Sequence, residues 1–259
     1  MKADYGIDAP KVIRNLLIAG TLTLAVAVSA VLGLLPQEFV LHPSADGAIR
    51  FPLLQMTLPA TAGFLGVACW MYLGSRFGKL KERERLLGFI SWRGDEKVLD
   101  VGCGRGLVLV GAARRLKTGS ATGVDIWQAE DLSGNKADVP LRNAELEGVR
   151  DRVSVQTADM RRLPFEDGTF DVITSRAAIH NLYSATDRAA AIREIARVMK
   201  PGARAVIMDI RHMTEYEREF RANGCADVRL LDSKLASVLC ALCTIGALRP
   251  NTMLVQKAV

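Results

Sequence analysis

The stretch VLDVGCGRG, from Val98 to Gly106, combines a short apolar run with a turn in which every second residue is glycine. Lys97–Val101 predicts a buried strand, and an amphipathic helix is expected after the turn, through about Leu116. A ligand at the carboxyl end of such a strand meets bare backbone only if the turn residues lack a Cβ, and the following helix presents free N–H groups. The stretch therefore predicts a ligand-binding turn in an α/β domain.

An acidic residue stands at the end of the next predicted strand, Ser120–Asp125. Asp125 comes 19 residues after Gly106, where a carboxylate can accept both hydroxyl hydrogens of a ribose. The glycines alternate strictly, so the third comes one residue early for the dinucleotide pattern GxGxxG, and Leu107 takes the dinucleotide position. This spacing favours a nucleoside ligand over a dinucleotide, although glycines also occur in plain tight turns.

From Lys97 onward, short apolar runs alternate with helical patterns, which is typical of a parallel sheet covered by helices. Helices are expected at Asp187–Met199, where Lys200-Pro201-Gly202 forms a stop signal, and around Glu215–Asn223. The later predicted strands are Arg152–Thr157, Asp171–Ser175, Ala205–Ile210, Val228–Leu231 and Thr252–Lys257.

Two long uncharged runs precede this domain, Leu16–Leu35 and Phe51–Ser75. Each is long enough for the roughly 20 residues that cross a bilayer core, so we predict transmembrane helices at about 12–35 and 52–74. Small residues in the second run are expected to let the two helices approach closely; they are Ala60, Gly63 and Gly66.

Charge around the two runs predicts their topology. Lys2, Lys11 and Arg14 precede the first run, a basic stretch from Arg76 to Arg85 follows the second, and the loop 36–50 holds only Arg50 against two acids. Because Lys and Arg beside a span resist translocation, both ends are expected on the cytoplasmic side of a multi-pass protein. The predicted organisation is an anchor at 1–75, a basic juxtamembrane linker or helix at 76–92, and a catalytic domain at 93–259.

Three alternatives to this anchor remain open. The first run also fits a cleaved secretory signal, since small residues such as Ala30 lie near its end. The second run contains Pro52, Gln55 and Pro59, which also fits a re-entrant or interfacial helix. A buried hairpin of a soluble protein is the third alternative.

Charge and cysteine content exclude other classes. The formal net charge is +6, but the densest basic stretch, 76–85, directly follows an apolar run and fits a membrane surface rather than nucleic acid. The five cysteines are an odd number without even spacing, which argues against a disulfide framework. Cys240 and Cys243 form a lone CxxC without a second pair or nearby histidines, so no metal site is predicted.

Four motifs in this order resemble the class I S-adenosylmethionine-dependent methyltransferases. VLDVGCGRG is similar to the first motif of that family and ATGVDIW (121–127) to its second. TADMRRLPFEDGTFDVITS (157–175) and EIARVMKPGARAVIMD (194–209) resemble the region from its third to its fifth strand. The resemblance runs from about Val98 to Asp209 and is nearest to the small-molecule, lipid and quinone methyltransferases. It implies a Rossmann-like α/β fold, with a seven-stranded, mostly parallel sheet and helices on both faces, here preceded by two transmembrane helices.

The resemblance also implies roles for individual residues. The glycine turn would line the methionine and ribose part of S-adenosylmethionine, Asp100 would organise the turn and the ammonium group, and Asp125 would hold the ribose. Asp159 matches the acid that accepts from the adenine amino group, although it also fits a turn cap. The predicted cofactor-binding set is Asp100, Gly102, Cys103, Gly104, Gly106, Asp125, Ile126, Trp127, Asp159, Met160 and Ser175.

Methyl transfer from a sulfonium is an in-line displacement, so alignment and exclusion of water supply much of the acceleration. His180, in RAAIHNLY (176–183), is the candidate base, because this fold places the acceptor after the fourth strand of the domain. It also fits a histidine that only hydrogen-bonds its loop.

The predicted anchor implies a small lipophilic acceptor, and the apolar segment Leu235–Leu248 fits either sheet packing or contact with the membrane interface. A dinucleotide-dependent oxidoreductase and a catalytically silent adenosylmethionine-binding membrane module are the alternative functions.

Overall fold

The computed structural model describes residues 2–44, 47–128, 132–232 and 250–259, with the backbone alone at 42–44. The chain divides into two compact units. One comprises Gly6–Lys79 and Glu130–Ser133, and the other comprises Met1–Tyr5, Leu80–Ala129 and Gly134–Val259. The predicted apolar segment 235–248, with Cys240 and Cys243, lies outside the described residues.

The smaller unit contains two helices joined by a two-stranded antiparallel sheet. Its elements are α1 (Pro10–Val31), β1 (Glu38–Ser44), β2 (Gly47–Pro52) and α2 (Leu53–Leu73), followed by a π-helical turn (Gly74–Gly78). The strands correct the expectation of a plain loop at 36–50. In their register Phe39 faces Phe51 and Leu41 faces Ile49, and such apolar cross-strand pairs stabilise a hairpin.

Small side chains mediate the contact between α1 and α2. A Cβ at Gly20 would lie 2.6 Å from Leu65 Cδ2, so the absence of one permits the close approach of the helices. Thr61 Oγ1 donates a hydrogen bond of 2.8 Å to Thr23 Oγ1. The expectation for Gly63 and Gly66 was wrong, because a Cβ at either position would meet open space.

Both helices expose most of their apolar surface. Pro10–Val31 and the continuous helical run Leu53–Leu87 are long and apolar enough to cross a membrane, and only 17% and 11% of their apolar windows are buried. The helix of a soluble core would bury its apolar face. The large exposed side chains include Leu17, Ile18, Leu22, Val28 and Val31 on α1 and Met56, Leu58, Val67 and Trp70 on α2.

The larger unit is a sheet covered by helices. Its helices are α3 (Lys79–Leu87), α4 (Leu107–Ala113), α5 (Asp138–Leu146), α6 (Ala185–Val198) and α7 (Met213–Ala222). Its strands are β3 (Lys97–Val101), β4 (Ser120–Asp125), β5 (Val153–Thr157), β6 (Phe170–Arg176), β7 (Met199–Asp209), β8 (Cys225–Leu230) and β9 (Asn251–Lys257). Short 3₁₀ turns span Arg150–Arg152 and Ile179–Asn181.

Among the described residues, seven strands form one sheet in the order β5-β4-β3-β6-β7-β9-β8. Strands β3 to β7 run parallel to one another, whereas β9 is antiparallel to both β7 and β8. The prediction of a Rossmann-like, mostly parallel seven-stranded sheet is confirmed. The carboxyl ends of β3, β4 and β6 lie side by side, and ligands bind at that edge in open α/β sheets.

Burial and capping explain these elements. Val98, Leu99 and Val101 of β3 are fully buried, as expected of a central strand covered on both faces. The Ser184 hydroxyl accepts a 3.0 Å hydrogen bond from the Asp187 backbone N–H and so caps α6.

The basic stretch 76–85 is partly used by the fold, which corrects its assignment to a membrane surface as a whole. Arg83 is 4% exposed, and its guanidinium lies 3.3 Å from the Glu147 carboxylate. A Cβ at Gly111 would come within 2.5 Å of Arg83 Cδ, so α3 and α4 pack closely. Arg85 pairs with Asp232 at 2.5 Å. These ion pairs join α3 to the sheet domain, and the buried Arg83 in particular requires a partner for its charge.

Candidate functional site

The glycine turn after β3 is tied to the end of β4. The backbone N–H groups of Gly102 and Cys103 donate to Val124 O at 2.8 and 3.0 Å. Gly104 N–H donates to Asp125 Oδ2 at 2.8 Å. The turn and the acid that the sequence singled out therefore form one hydrogen-bonded unit.

Both backbone conformation and close contacts require glycine at 102 and 106. Their φ angles are +70° and +82°, values that residues with a side chain rarely adopt. A Cβ at Gly102 would lie 2.3 Å from Ala178 Cβ, and one at Gly106 would lie 2.8 Å from Pro140 Cβ. The turn thus packs directly against the segment that follows β6.

Asp100 lies beneath the turn and is 2% exposed. Thr174 Oγ1 donates a 2.7 Å hydrogen bond to its Oδ1. Burial raises the pKa of Asp100 to about 7, since desolvation disfavours the charged form. This carboxyl group therefore titrates near neutral pH.

Asp125 accepts further hydrogen bonds through its other oxygen. Oδ1 accepts from Trp127 N–H at 2.6 Å and from Asn135 Nδ2 at 3.2 Å. Asn135 is 7% exposed, and its Oδ1 has no partner among the described residues. Sequence analysis missed Asn135, because an asparagine ten residues after the acid carries no motif. The pair presents acceptor oxygens suited to hydroxyl donors.

Asp159 and Met160 lie just after the end of β5. The Arg161 side chain donates to both carboxylate oxygens of Asp159 at 3.1 and 3.0 Å, and Arg161 N–H donates at 2.9 Å. This guanidinium holds the pKa of Asp159 below its ordinary value. Asp159 thus caps its own turn and remains an anion, while Met160 Cε lies 3.6 Å from where a Gly102 Cβ would be.

Two residues after β4 remain partly accessible. Ile126 is 47% exposed. Trp127 is half-buried, packs against the buried cluster around α4, and donates its indole N–H to Thr157 Oγ1 at 2.7 Å. Ile126 is therefore freer than Trp127 to contact a ligand.

The side chains of Cys103 and Ser175 are taken up by the fold. Ser175 is 2% exposed and donates to Val101 O at 2.8 Å. Cys103 is 6% exposed, and its Sγ would lie 2.7 Å from a Cβ at Gly123. Burial raises the pKa of the Cys103 thiol well above its usual range, so Cys103 offers packing rather than reactive sulfur.

His180 lies in the 3₁₀ turn after β6 and is held by a buried acid. Its Nδ1 is 2.5 Å from Asp209 Oδ1, and its backbone N–H donates to Asp209 Oδ2 at 3.0 Å. Asp209 ends β7 and is 1% exposed. Sequence analysis named His180 and missed its partner, because the two meet only through the pairing of β6 with β7.

The N-terminal residues also contact the glycine turn. Asp4 Oδ2 accepts from Arg105 Nη2 at 2.7 Å. Asn143 on α5 accepts from Asp4 N–H at 3.0 Å and donates to Arg105 O at 2.9 Å. These bonds fasten the outer side of the turn, which no sequence pattern indicated.

Comparison with known proteins identifies the domain that carries this site. Residues 99–207 match the family described as a methyltransferase domain. Methyltransferase GfsG of Streptomyces halstedii is 40% identical over 114 residues, 44% of this chain and 37% of that protein. Demethylmenaquinone methyltransferase of Lactiplantibacillus plantarum is 32% identical over 128 residues, 49% of this chain and 50% of that protein.

A solved structure of geranyl diphosphate methyltransferase in complex with S-adenosylmethionine has the same fold. The superposition gives a TM-score of 0.54 at 19% identity and covers 75% of this chain and 90% of that one. The chain spans about a third to a half of the length of the curated relatives it matches.

The larger unit therefore has a Rossmann-like fold, and within it residues 99–207 are similar to a methyltransferase domain.

Proposed function

We propose that this protein is a membrane-anchored enzyme that transfers a methyl group from S-adenosylmethionine to a small, lipophilic acceptor. The observation that carries the transfer activity is the glycine turn bonded to Asp125, with His180 in the segment that packs on the same turn. The observation that carries the anchor is the exposed apolar surface of α1 and α2.

The described residues fit the donor. Asp125 and the unpartnered Asn135 Oδ1 would accept from the ribose hydroxyls. Asp100, beneath the turn, would attract the ammonium group, and the bare backbone at Gly102 and Gly104 leaves room for the methionine part. Asp159 would accept a hydrogen bond from the adenine amino group beside those that it accepts from Arg161.

When bound, S-adenosylmethionine supplies an electrophilic methyl group on a positively charged sulfur. The chain's own contribution is to orient that group, to exclude water and to receive a proton from the acceptor. Ile126 and Met160 would cover the adenosine, and His180 would receive the proton.

The anchor proposal assigns residues 1–75 to two membrane-spanning helices, 76–92 to a juxtamembrane segment and 93–259 to the catalytic domain on the cytoplasmic side. Lys11 and Arg14 on the N-terminal flank and Arg76 on the other support this orientation. Tethering raises the effective concentration of an acceptor dissolved in the membrane. One of the similar proteins is named for a quinone precursor, demethylmenaquinone, which supports a lipophilic acceptor here.

The pH dependence of donor binding tests the role of Asp100. Because burial raises its pKa to about 7, ionised Asp100 becomes available to an ammonium group only as the pH approaches 7. We expect the affinity for S-adenosylhomocysteine to increase from pH 5 to 7, with proton release on binding. Titration calorimetry in buffers of different ionisation enthalpy measures both.

The matched controls for this prediction remove either charge. 5′-Methylthioadenosine lacks the amino-acid part, and Asp100→Asn lacks the carboxyl, so neither should show the increase in affinity with pH.

The stability of the ligand-free protein depends on pH in the opposite direction. In the unfolded chain this carboxyl ionises near the ordinary aspartate pKa of 3.8, so the contribution of Asp100 to the stability of the ligand-free protein falls as pH rises from about 4 to 7. If the affinity of the wild type for S-adenosylhomocysteine does not change with pH, Asp100 does not bind the ammonium group.

His180→Ala tests the proposed base. We expect kcat to fall by about 100-fold or more, because positioned general bases contribute roughly 10²–10⁴-fold. Affinity for S-adenosylhomocysteine should change by less than about threefold. Equal turnover in the two proteins removes His180 from the mechanism.

One assay tests the proposed function as a whole. The full chain in lipid nanodiscs is incubated with S-adenosylmethionine carrying a radiolabelled methyl group and with a membrane lipid extract. We expect label in the organic phase, and mass spectrometry of the product names the acceptor. Donor binding without transfer to any extract indicates the silent binding module instead. Membrane flotation of the full chain and of a variant without residues 1–75 tests the anchor. We expect the full chain to float with the membranes and the shortened variant to stay behind.

A further inference from the structure

The His180–Asp209 pair belongs to a buried polar cluster that the resemblance did not indicate. Four donors surround the Asp209 carboxylate. They are His180 N–H at 3.0 Å, His180 Nδ1 at 2.5 Å, Ile210 N–H at 2.8 Å and Tyr216 OH at 3.3 Å. The carboxylate is 1% exposed, so these donors replace the water that it lost on folding.

This arrangement determines which imidazole nitrogen carries the proton. An ionised carboxylate only accepts hydrogen bonds, so the proton of a neutral His180 lies on Nδ1, facing Asp209. The lone pair is then on Nε2, and no described residue hydrogen-bonds Nε2. His180 is also two residues from Ala178, which packs against Gly102. The imidazole therefore belongs to the segment that borders the glycine turn.

The charged groups around the cluster leave Asp209 as the partner of a protonated His180. On α6 and α7, Arg188 and Glu215 pair with each other at 2.9 Å. Burial lowers the pKa of His212, which keeps that ring neutral at neutral pH, and Arg211 also lies near this edge. Burial raises the pKa of Tyr216 above its usual value, so Tyr216 is a neutral donor to Asp209.

We propose that Asp209 is a positioning residue that makes His180 a base, and that the acceptor atom carries a proton that must leave, as in an acidic hydroxyl such as a phenol or enol. This inference rests on the proposed function. In the balanced step, the bond between sulfur and methyl breaks with its electron pair going to sulfur. A bond between the acceptor oxygen and methyl forms from an oxygen lone pair, and the hydroxyl proton goes to His180 Nε2.

Charge explains why a buried anion belongs here. The step removes the positive charge from the sulfonium and creates one on the imidazole. Asp209 is already placed beside that imidazole, so its charge stabilises the product of proton transfer without rearrangement. An acceptor that releases no proton, such as a thioether, would have no use for this cluster.

The first test reads the histidine tautomer directly. The chain has three histidines, so ¹⁵N-histidine NMR of the full chain in nanodiscs is simple to assign with His180→Gln. We expect His180 to carry its proton on Nδ1 in the wild type at pH 8. In Asp209→Asn we expect a shift toward the Nε2-protonated form, since an amide can donate to Nδ1. A wild-type ring protonated on Nε2 overturns the inference, even if the variant does not fold.

The second test measures turnover. For Asp209→Asn we expect kcat to fall by about 100-fold, with the affinity for S-adenosylhomocysteine unchanged within about threefold. Tyr216→Phe, which removes one donor and keeps the carboxylate, should lose less than about tenfold. If both tautomer and kcat of Asp209→Asn match the wild type, Asp209 has no positioning role.

The third test addresses the acceptor class. A membrane lipid extract is used after its amines have been converted to amides by an amine-selective acetylating reagent, or after its hydroxyls have also been acetylated. We expect label in the first extract and none in the second. Label in the acetylated extract overturns the hydroxyl assignment. A wild-type protein that labels no extract, including the untreated one, refutes the proposed function, whereas the tautomer measurement still decides the role of Asp209.

Discussion

Asp125→Asn is expected to weaken binding of S-adenosylhomocysteine by about 100-fold or more. Hydrogen bonds to a charged acceptor contribute roughly 1.5–3 kcal/mol each, and the variant removes the charge that two ribose hydroxyls would use. It also leaves only one side-chain oxygen for Gly104 N–H and Trp127 N–H, which the two carboxylate oxygens accept separately. Titration calorimetry with the full chain measures the change.

A matched variant separates this effect from a general loss of negative charge. Asp227 lies on β8, at the far edge of the sheet, where it pairs with Arg229 on the same strand. Asp227→Asn should therefore bind the ligand like the wild type. If Asp125→Asn binds within about threefold of the wild type, Asp125 does not hold the ribose and the assignment of the site fails.

Gly102→Ala is expected to lower both stability and ligand affinity. The added Cβ would lie 2.3 Å from Ala178 Cβ, and overpacking of this kind typically costs about 1–3 kcal/mol. The φ of +70° adds about 1–2 kcal/mol, because a side chain is strained in the left-handed region. We expect a loss of roughly 3 kcal/mol in the free energy of unfolding, and a displaced turn that binds S-adenosylhomocysteine at least about tenfold more weakly.

Two further variants separate strain from contact. Gly148 has a φ of +71°, but a Cβ there would meet open space, so Gly148→Ala should show the backbone strain alone. In the double variant Gly102→Ala with Ala178→Gly, the opposing methyl group is removed, and much of the additional loss should be recovered. Chemical denaturation of the wild type, Gly148→Ala, Gly102→Ala, Ala178→Gly and the double variant measures both effects. A Gly102→Ala variant no less stable than Gly148→Ala would mean that the turn and the segment after β6 are not in contact.

The elements of the sheet domain were largely predictable because their signals are local. β3 and β4 have the predicted bounds, and the apolar residues within them that signal a buried strand are indeed buried, among them Leu99 and Val124. α6 begins after a hydroxyl cap and ends before Pro201, and both signals lie within a few residues of the helix. Alternation of such elements determines a parallel sheet with right-handed connections.

The features that were missed depend on residues distant in the chain. The β1–β2 hairpin lies in a segment whose few charges suggested a loop, and its stability comes from pairs such as Phe39 with Phe51. Arg83 belongs to a charged run that fits a membrane surface, but the fold places Glu147 beside it. Neither contact can be inferred from composition. The Phe39–Phe51 pair depends on the register of two strands, and the charged side chain of Arg83 is compatible with both water and a buried ion pair.

The amino-acid sequence by itself indicated the class of fold and the positions of the turn at 102–106 and of Asp125. These depend on backbone conformation and on strand ends, which short patterns encode. Only the tertiary structure decided that Asn135 supports Asp125 and that Asp209 orients His180. The reason is physical: hydrogen bonds form between atoms within about 3 Å. The pairing of β6 with β7 brings Asp209 to His180, and Asn135 reaches Asp125 only once the chain after β4 has folded.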